Sequence, residues 1–131
     1  MGINKINGLL CALLGVALAC ASGCHSGGGP RLVLEKYFSS AIQQDYATTY
    51  ECYYDAYKAK VAKDEFIKHR KEASVLQSYQ IASLTQSGDT AHADVVLTFA
   101  ASKTLQRDKP VSMTVKEDLI RQPSGWKIKV W

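Results

Sequence analysis

Between residues 91 and 101 an apolar side chain recurs at every second position: Ala91, Ala93, Val95, Leu97, Phe99 and Ala101. Strand side chains alternate between two faces, whereas a helix returns to the same face every third or fourth residue. A period of two held over this length specifies a strand with one buried face. Such a strand needs strand neighbours and a covering layer, and the rest of the chain must supply both.

The neighbours lie on either side. Residues 75–86 are rich in β-formers with polar alternation, and Ser87-Gly88-Asp89-Thr90 is a turn signal. Arg107-Asp108-Lys109-Pro110 marks a second turn. Val111, Met113 and Val115 then alternate with Ser112, Thr114 and Lys116 in a strand that runs to about Gln122. Pro123-Ser124-Gly125 is a short hairpin loop, and a last strand alternates Trp126, Ile128 and Val130 with Lys127, Lys129 and Trp131.

The covering layer comes first in the chain. Val33, Leu34, Tyr37, Phe38, Ala41 and Ile42 form one stripe of a helix over about 31–43, with Pro30 suited to its first turn. Gln43-Gln44-Asp45 breaks that helix, and Asp45 is a good N-cap for a second, on which Tyr46, Tyr50, Tyr53 and Tyr57 share a face. Asp64 can cap a third helix, about 65–73, that buries Phe66, Ile67 and Ala73. Helices followed by a long-stranded antiparallel sheet predict an α+β fold, with the helices packed on one sheet face. The 131 residues, 47% hydrophobic and 21% charged, suit one globular domain. They exclude a collagen-like chain, a charge-rich disordered chain and a multidomain enzyme.

Residues 1–23 are read apart from the fold. Lys5 supplies a positive start, and Leu9 to Ala19 is an apolar run too short to span a bilayer core of roughly 30 Å. Ala21-Ser22-Gly23 and then Cys24 follow. This segment resembles the lipobox of bacterial lipoproteins. The resemblance implies cleavage between Gly23 and Cys24, diacylation of the Cys24 thiol, and retention at a membrane through lipid. Two or more acyl chains hold well where one is marginal. The usual Leu three before the cysteine is Ala21 here, and Cys20, after Ala17-Leu18-Ala19, is a second candidate. An ordinary signal peptide without lipid and a retained membrane helix are the alternatives. Residues 24–30, the candidate cysteine with His25-Ser26-Gly27-Gly28-Gly29-Pro30, read as a flexible tether. Because His25 is not Asp, the resemblance implies the periplasmic face of the outer membrane if the host is Gram-negative. Of four cysteines, Cys11 and Cys20 leave with the leader, Cys24 carries lipid, and Cys52 remains as a buried thiol or a reactive one.

The segment from Leu34 to Tyr50 resembles the first helix, acidic turn and second helix of the nuclear transport factor 2-like superfamily, a cone-shaped α+β barrel. Lys116 to Trp131 is similar to that family's closing hairpin, so the resemblance covers about 31–131. The family includes enzymes, binding modules and subunits without chemistry, so the fold alone does not choose among them. Tyr37 falls where the family's ketosteroid isomerases carry a first-helix Tyr. Their general base and proton-donating Asp have no clear match; Asp55 is the only carboxylate in the corresponding region.

Glu117 is the residue whose chemistry stands out. It shares parity with Val111, Met113, Val115 and Leu119, the expected core face. In an apolar pocket its pKa would rise and it could serve as acid or base. A bulge near Glu117-Asp118 would instead turn it to solvent. Tyr37, Tyr50 and Glu117 are therefore the candidate pocket residues. His69 lies in the basic run Lys68-His69-Arg70-Lys71, read as a solvated helix face or an anionic-surface contact together with Lys58, Lys60, Lys63, Lys127 and Lys129. His92 and Asp94 could hold a metal only weakly without a third ligand. No catalytic set, phosphate loop or cofactor motif is present, and catalytic, metal and cofactor residues are expected to be none. The sequence thus points to a lipid-anchored envelope protein, more a non-catalytic binding domain for a partner protein or small apolar ligand than an enzyme. An isomerase- or hydratase-like pocket and a structural subunit, such as a homodimer through the open sheet face, are the alternatives. Nucleic acid is not an expected partner.

Overall fold

The structure, a computed structural model, describes residues 28–130. The proposed leader, Gly23, Cys24 and the first part of the tether lie outside the described residues, as does Trp131.

Helix α1, Pro30–Ile42, begins on proline, whose fixed φ and missing N–H suit a first turn. Its stripe of Val33, Leu34, Tyr37, Phe38 and Ala41 is buried as the spacing predicts. The helix ends by reversal at Gln44, which has φ of 59°. The Gln44 N–H donates to the Ala41 carbonyl at 3.1 Å and the Asp45 N–H to the Ser40 carbonyl at 2.9 Å, so the last carbonyls are satisfied. Asp45 then caps α2, Tyr46–Glu51, its carboxylate accepting from the Thr48 N–H at 3.2 Å and the Thr48 hydroxyl at 2.6 Å.

The tyrosine-bearing helix is shorter than its spacing predicts. Tyr46 and Tyr50 lie on α2, but the chain turns extended at Cys52–Tyr54 and pairs with the last strand. The Ile128 N–H donates to the Cys52 carbonyl at 2.8 Å, and the Tyr54 N–H donates to the Ile128 carbonyl at 3.0 Å. Tyr57 follows on a separate turn, α3, Asp55–Lys58. Helix α4 spans Lys63–Glu72. Asp64 does not cap it; Ala62 holds that position, and Asp64 and Glu65 lie in the first turn where the helix dipole favours negative charge. Phe66 is buried and Ile67 half-buried, but Ala73 is exposed beyond the helix end.

The sheet is antiparallel in the order β1-β2-β3-β4, formed by Leu76–Ser87, Thr90–Phe99, Val111–Gln122 and Gly125–Lys129. β2 carries the alternation to Phe99; Ala101 has left the strand and is exposed. Ala91, Ala93, Val95 and Leu97 face inward against α1 and α4 residues in one core with Leu34, Phe38, Phe66, Leu119, Trp126 and Ile128. On β3 the expected core face divides. Leu119 is 1% exposed, while Val111 and Met113 are 42% and 50% exposed. Parity is as predicted, but nothing among the described residues covers the first half of the strand.

Candidate functional site

The pairing of β2 with β3 runs without interruption from Thr90 opposite Ile120 to Phe99 opposite Val111. No bulge occurs at Glu117, so the alternative that would have turned it outward is excluded. Glu117 lies opposite Ala93 on the inner face, half-buried. Burial, with a smaller effect of neighbouring Asp118, pushes its pKa up to about 7, opposed by the positive charge of Arg70. At neutral pH this carboxyl is divided between acid and carboxylate.

Tyr37 and Tyr53 approach the same region from α1 and from the extended segment after α2. Their hydroxyl oxygens are 2.6 Å apart, one donating to the other. The rings meet edge to face, 5.4 Å between centroids. Burial raises the pKa of Tyr37, with Arg70 opposing and Glu117 adding to the rise. Burial and then Tyr37 raise that of Tyr53 far above the ordinary range. Both phenols therefore stay protonated. A hydroxyl pair uses one of its two protons between the members and leaves the other to be donated elsewhere. Tyr57 stacks at a tilt on Tyr53, centroids 4.4 Å apart, and Phe66 closes against Tyr53 at 5.5 Å.

Arg70 completes the group. Four residues after Phe66, it lies on the same side of α4 and is half-buried, its guanidinium 5.9 Å from the ring centre of Tyr46. Its Nε is buried without a hydrogen-bond partner. Its charge acts on Tyr37, Tyr53, Tyr57 and Glu117. Yet no ion pair joins it to Glu117 among the described residues. Two opposite charges, both partly out of water, converge on one region without meeting.

Of the sequence-predicted pocket residues, Tyr37 and Glu117 come together and Tyr50 does not join them. Its hydroxyl donates to the Val61 carbonyl at 2.6 Å, with the Lys58 carbonyl at 3.2 Å, and so ties α2 to the segment before α4. Tyr53 and Tyr57 are read from the sequence as part of one helical tyrosine face and not as partners of Tyr37, and Arg70 only as part of a basic run. Arg70 was hidden in a basic run, and only its phase with Phe66 sets it apart from Lys68 and Lys71, which are exposed. The wider basic cluster is partly neutralised: Glu51 pairs with Lys63 at 2.9 Å and Lys58 at 3.4 Å. His69 is exposed, 3.8 Å from Glu65.

The outer sheet face carries a polar network. His92 Nδ1 lies 2.5 Å from Asp118, and Asp94 accepts from Lys116 Nζ and Ser83 Oγ, each at 3.1 Å. These contacts, with Lys116 foremost, hold the Asp94 carboxyl below the usual range. They line an open hollow of about 350 Å³. His92 and Asp94 thus turn to different partners, and no group of three possible metal ligands occurs among the described residues. Cys52 is 2% exposed, and burial pushes its thiol up, which makes it inert as a nucleophile.

No family model and no curated protein matches the sequence. Solved structures match it in fold. A SEC-C motif containing protein from Rhodopseudomonas palustris superposes with a TM-score of 0.62 at 11% identity, over 77% of this chain and 75% of that one. Another from Psychrobacter arcticus gives 0.61 at 9% identity over 76% of this chain, which spans 58% of its length. A nuclear transport factor 2-like transpeptidase from Campylobacter jejuni gives 0.49 at 15% identity, over 79% of this chain and all of that one. At such identities the likeness concerns the fold alone: α+β, with helices preceding an antiparallel sheet.

Proposed function

We propose that the chain is a lipid-anchored cell-envelope protein whose domain is a nuclear transport factor 2-like cone that binds a small ligand bearing both an anionic and a cationic group. The element order, and the likeness of residues 34–50 and 116–131 to that family, support the cone. The observation that carries the ligand reading is the unpaired approach of Arg70 and Glu117. An isolated charge out of water is costly unless something compensates it. Here the two are fixed on α4 and β3, with the Tyr37–Tyr53 hydroxyl pair close to both. A zwitterion would set its carboxylate on Arg70 and its ammonium on Glu117, with the spare phenolic proton as a further donor. Titration calorimetry with small zwitterions tests this. Binding should fall about tenfold or more in Arg70→Gln and in Glu117→Gln; no binding by any zwitterion would refute the ligand class.

The anchor has a separate test. Cys24→Ala should release the protein from membranes and remove the acyl mass. If Cys20→Ala does so instead, the cleavage point lies four residues earlier.

A second reading rests on the same carboxyl. At about 7, Glu117 could take and return a proton in an isomerase- or hydratase-like step. It requires turnover of a bound ligand that stops in Glu117→Gln, and binding without turnover excludes it.

A further inference from the structure

Unpaired strand edges invite pairing with another chain, and proteins blunt them with bulges, charges or cover. Two of the edges here are managed. The outer edge of β4 is covered at Ile128 by Cys52 and Tyr54. The register of β1 is broken between Leu76 and Ser78 and again between Ile81 and Ser83. The third is not. β4 pairs only with Asp118–Gln122, so Val111 to Val115 has β2 on one side and no described strand on the other. This run, Val-Ser-Met-Thr-Val, has no charge, proline, glycine or bulge. Its inward side chains Val111 and Met113 are the ones left exposed.

We propose that a second copy of this chain pairs antiparallel along residues 111–115, about a two-fold axis at Met113, joining the two sheets into one. The segment is complementary to itself in this register. Opposed residues in an antiparallel pair share a face. With Met113 opposite itself, Val111 meets Val115 on the inner face and Ser112 meets Thr114 on the outer. The exposed apolar strips merge, and a slip by one residue would mix the faces. Pro110, with no N–H to extend the ladder, ends the pairing before the incoming chain reaches β4. Arg107 braces this approach by donating to Ser74 Oγ at 2.9 Å and to the Ala100 carbonyl at 3.3 Å.

Five opposed residues make an interface smaller than the roughly 1,200 Å² of stable complexes, so the dimer is weak and concentration-dependent. The test uses the full chain in detergent. Met113→Cys places two thiols within bonding distance across the axis. Mild oxidation should give a disulfide dimer at least about tenfold more than Thr98→Cys on the outer face of β2, or than the unchanged chain with its own cysteines. Equal yields, or a higher yield from Thr98→Cys as face-to-face stacking would give, overturn the proposal. Met113→Lys sets two ammonium groups opposite each other and should weaken association about tenfold by sedimentation, while Met113→Leu retains it. A wild-type chain that stays monomeric at every concentration, or a Met113→Lys chain that dimerises equally, overturns it too.

Discussion

The two halves of β3 are built alike and end differently. Both alternate, both pair with β2 in one unbroken register, and both send odd-numbered residues inward. In the second half, β4 lies alongside and Leu119 is sealed at 1% exposure. In the first half the inward Met113 stands half in water. Alternation therefore reports which side of a sheet a residue faces, and burial depends on whether another element covers that side. Glu117 sits at the junction, where cover gives out.

The largest expected effect lies in the sealed half. Leu119→Ala should cost about 3 kcal/mol, because the cavity left between β2, β4 and the helices cannot collapse. Urea denaturation of the two-state domain measures it. A loss below about 1 kcal/mol would mean that the two halves do not differ.

At the junction the prediction concerns pH. Glu117 has a folded-state pKa of about 7 against an ordinary 4.5, so the folded chain holds more proton than the unfolded one between those values. Its contribution is greatest below pH 4.5 and is lost as pH rises through 7. Allowing for partial exposure, wild-type stability should fall by roughly 1–2 kcal/mol across that window. Glu117→Gln should flatten the slope and be more stable than wild type at pH 8. Asp45, Glu51 and Asp94, whose pKa values are lowered, act with the opposite sign and below the window. Denaturation curves at pH 5 and pH 8 decide the matter, and an unchanged slope in Glu117→Gln would place the charge in solvent.

How much of this was legible follows the same division. The stripe of α1, the cap at Asp45, the four strands and the inward phase of Glu117 all rest on spacing within a few residues, which sequence displays directly. The break after α2 does not. Tyr46, Tyr50, Tyr53 and Tyr57 keep helical spacing, and what pulls Cys52–Tyr54 out of the helix is β4, more than seventy residues on. The exposure of Val111 and Met113 was equally hidden, since their cover depends on how far β4 reaches. Arg70 was concealed by charged neighbours, and its role appears only when α4 packs on α2 and sets the guanidinium over Tyr46.

A smaller effect tests how the sealed half is closed. The Tyr54 hydroxyl donates to the Val130 carbonyl at 2.6 Å and latches the end of β4. Tyr54→Phe should cost about 1 kcal/mol, the usual worth of one such bond. It should also speed hydrogen exchange at the Ile128 amide, whose acceptor is the neighbouring Cys52 carbonyl. Loss of stability without faster exchange there would show that the latch acts elsewhere.

The smallest effect is expected in the open half. Met113→Ala removes side-chain atoms that water already reaches, so little transfer free energy is lost and no sealed cavity forms. At protein concentrations where the chain is monomeric, the change should stay within about 0.5 kcal/mol of wild type. The contrast with Leu119→Ala is informative because both residues face inward from one strand and pair with the same neighbour. A cost for Met113→Ala near that of Leu119→Ala, at dilution, would mean that the first half of β3 is covered within the single chain. Such cover would also leave no free edge for a second copy to join, so one denaturation experiment bears on both the comparison and the interface.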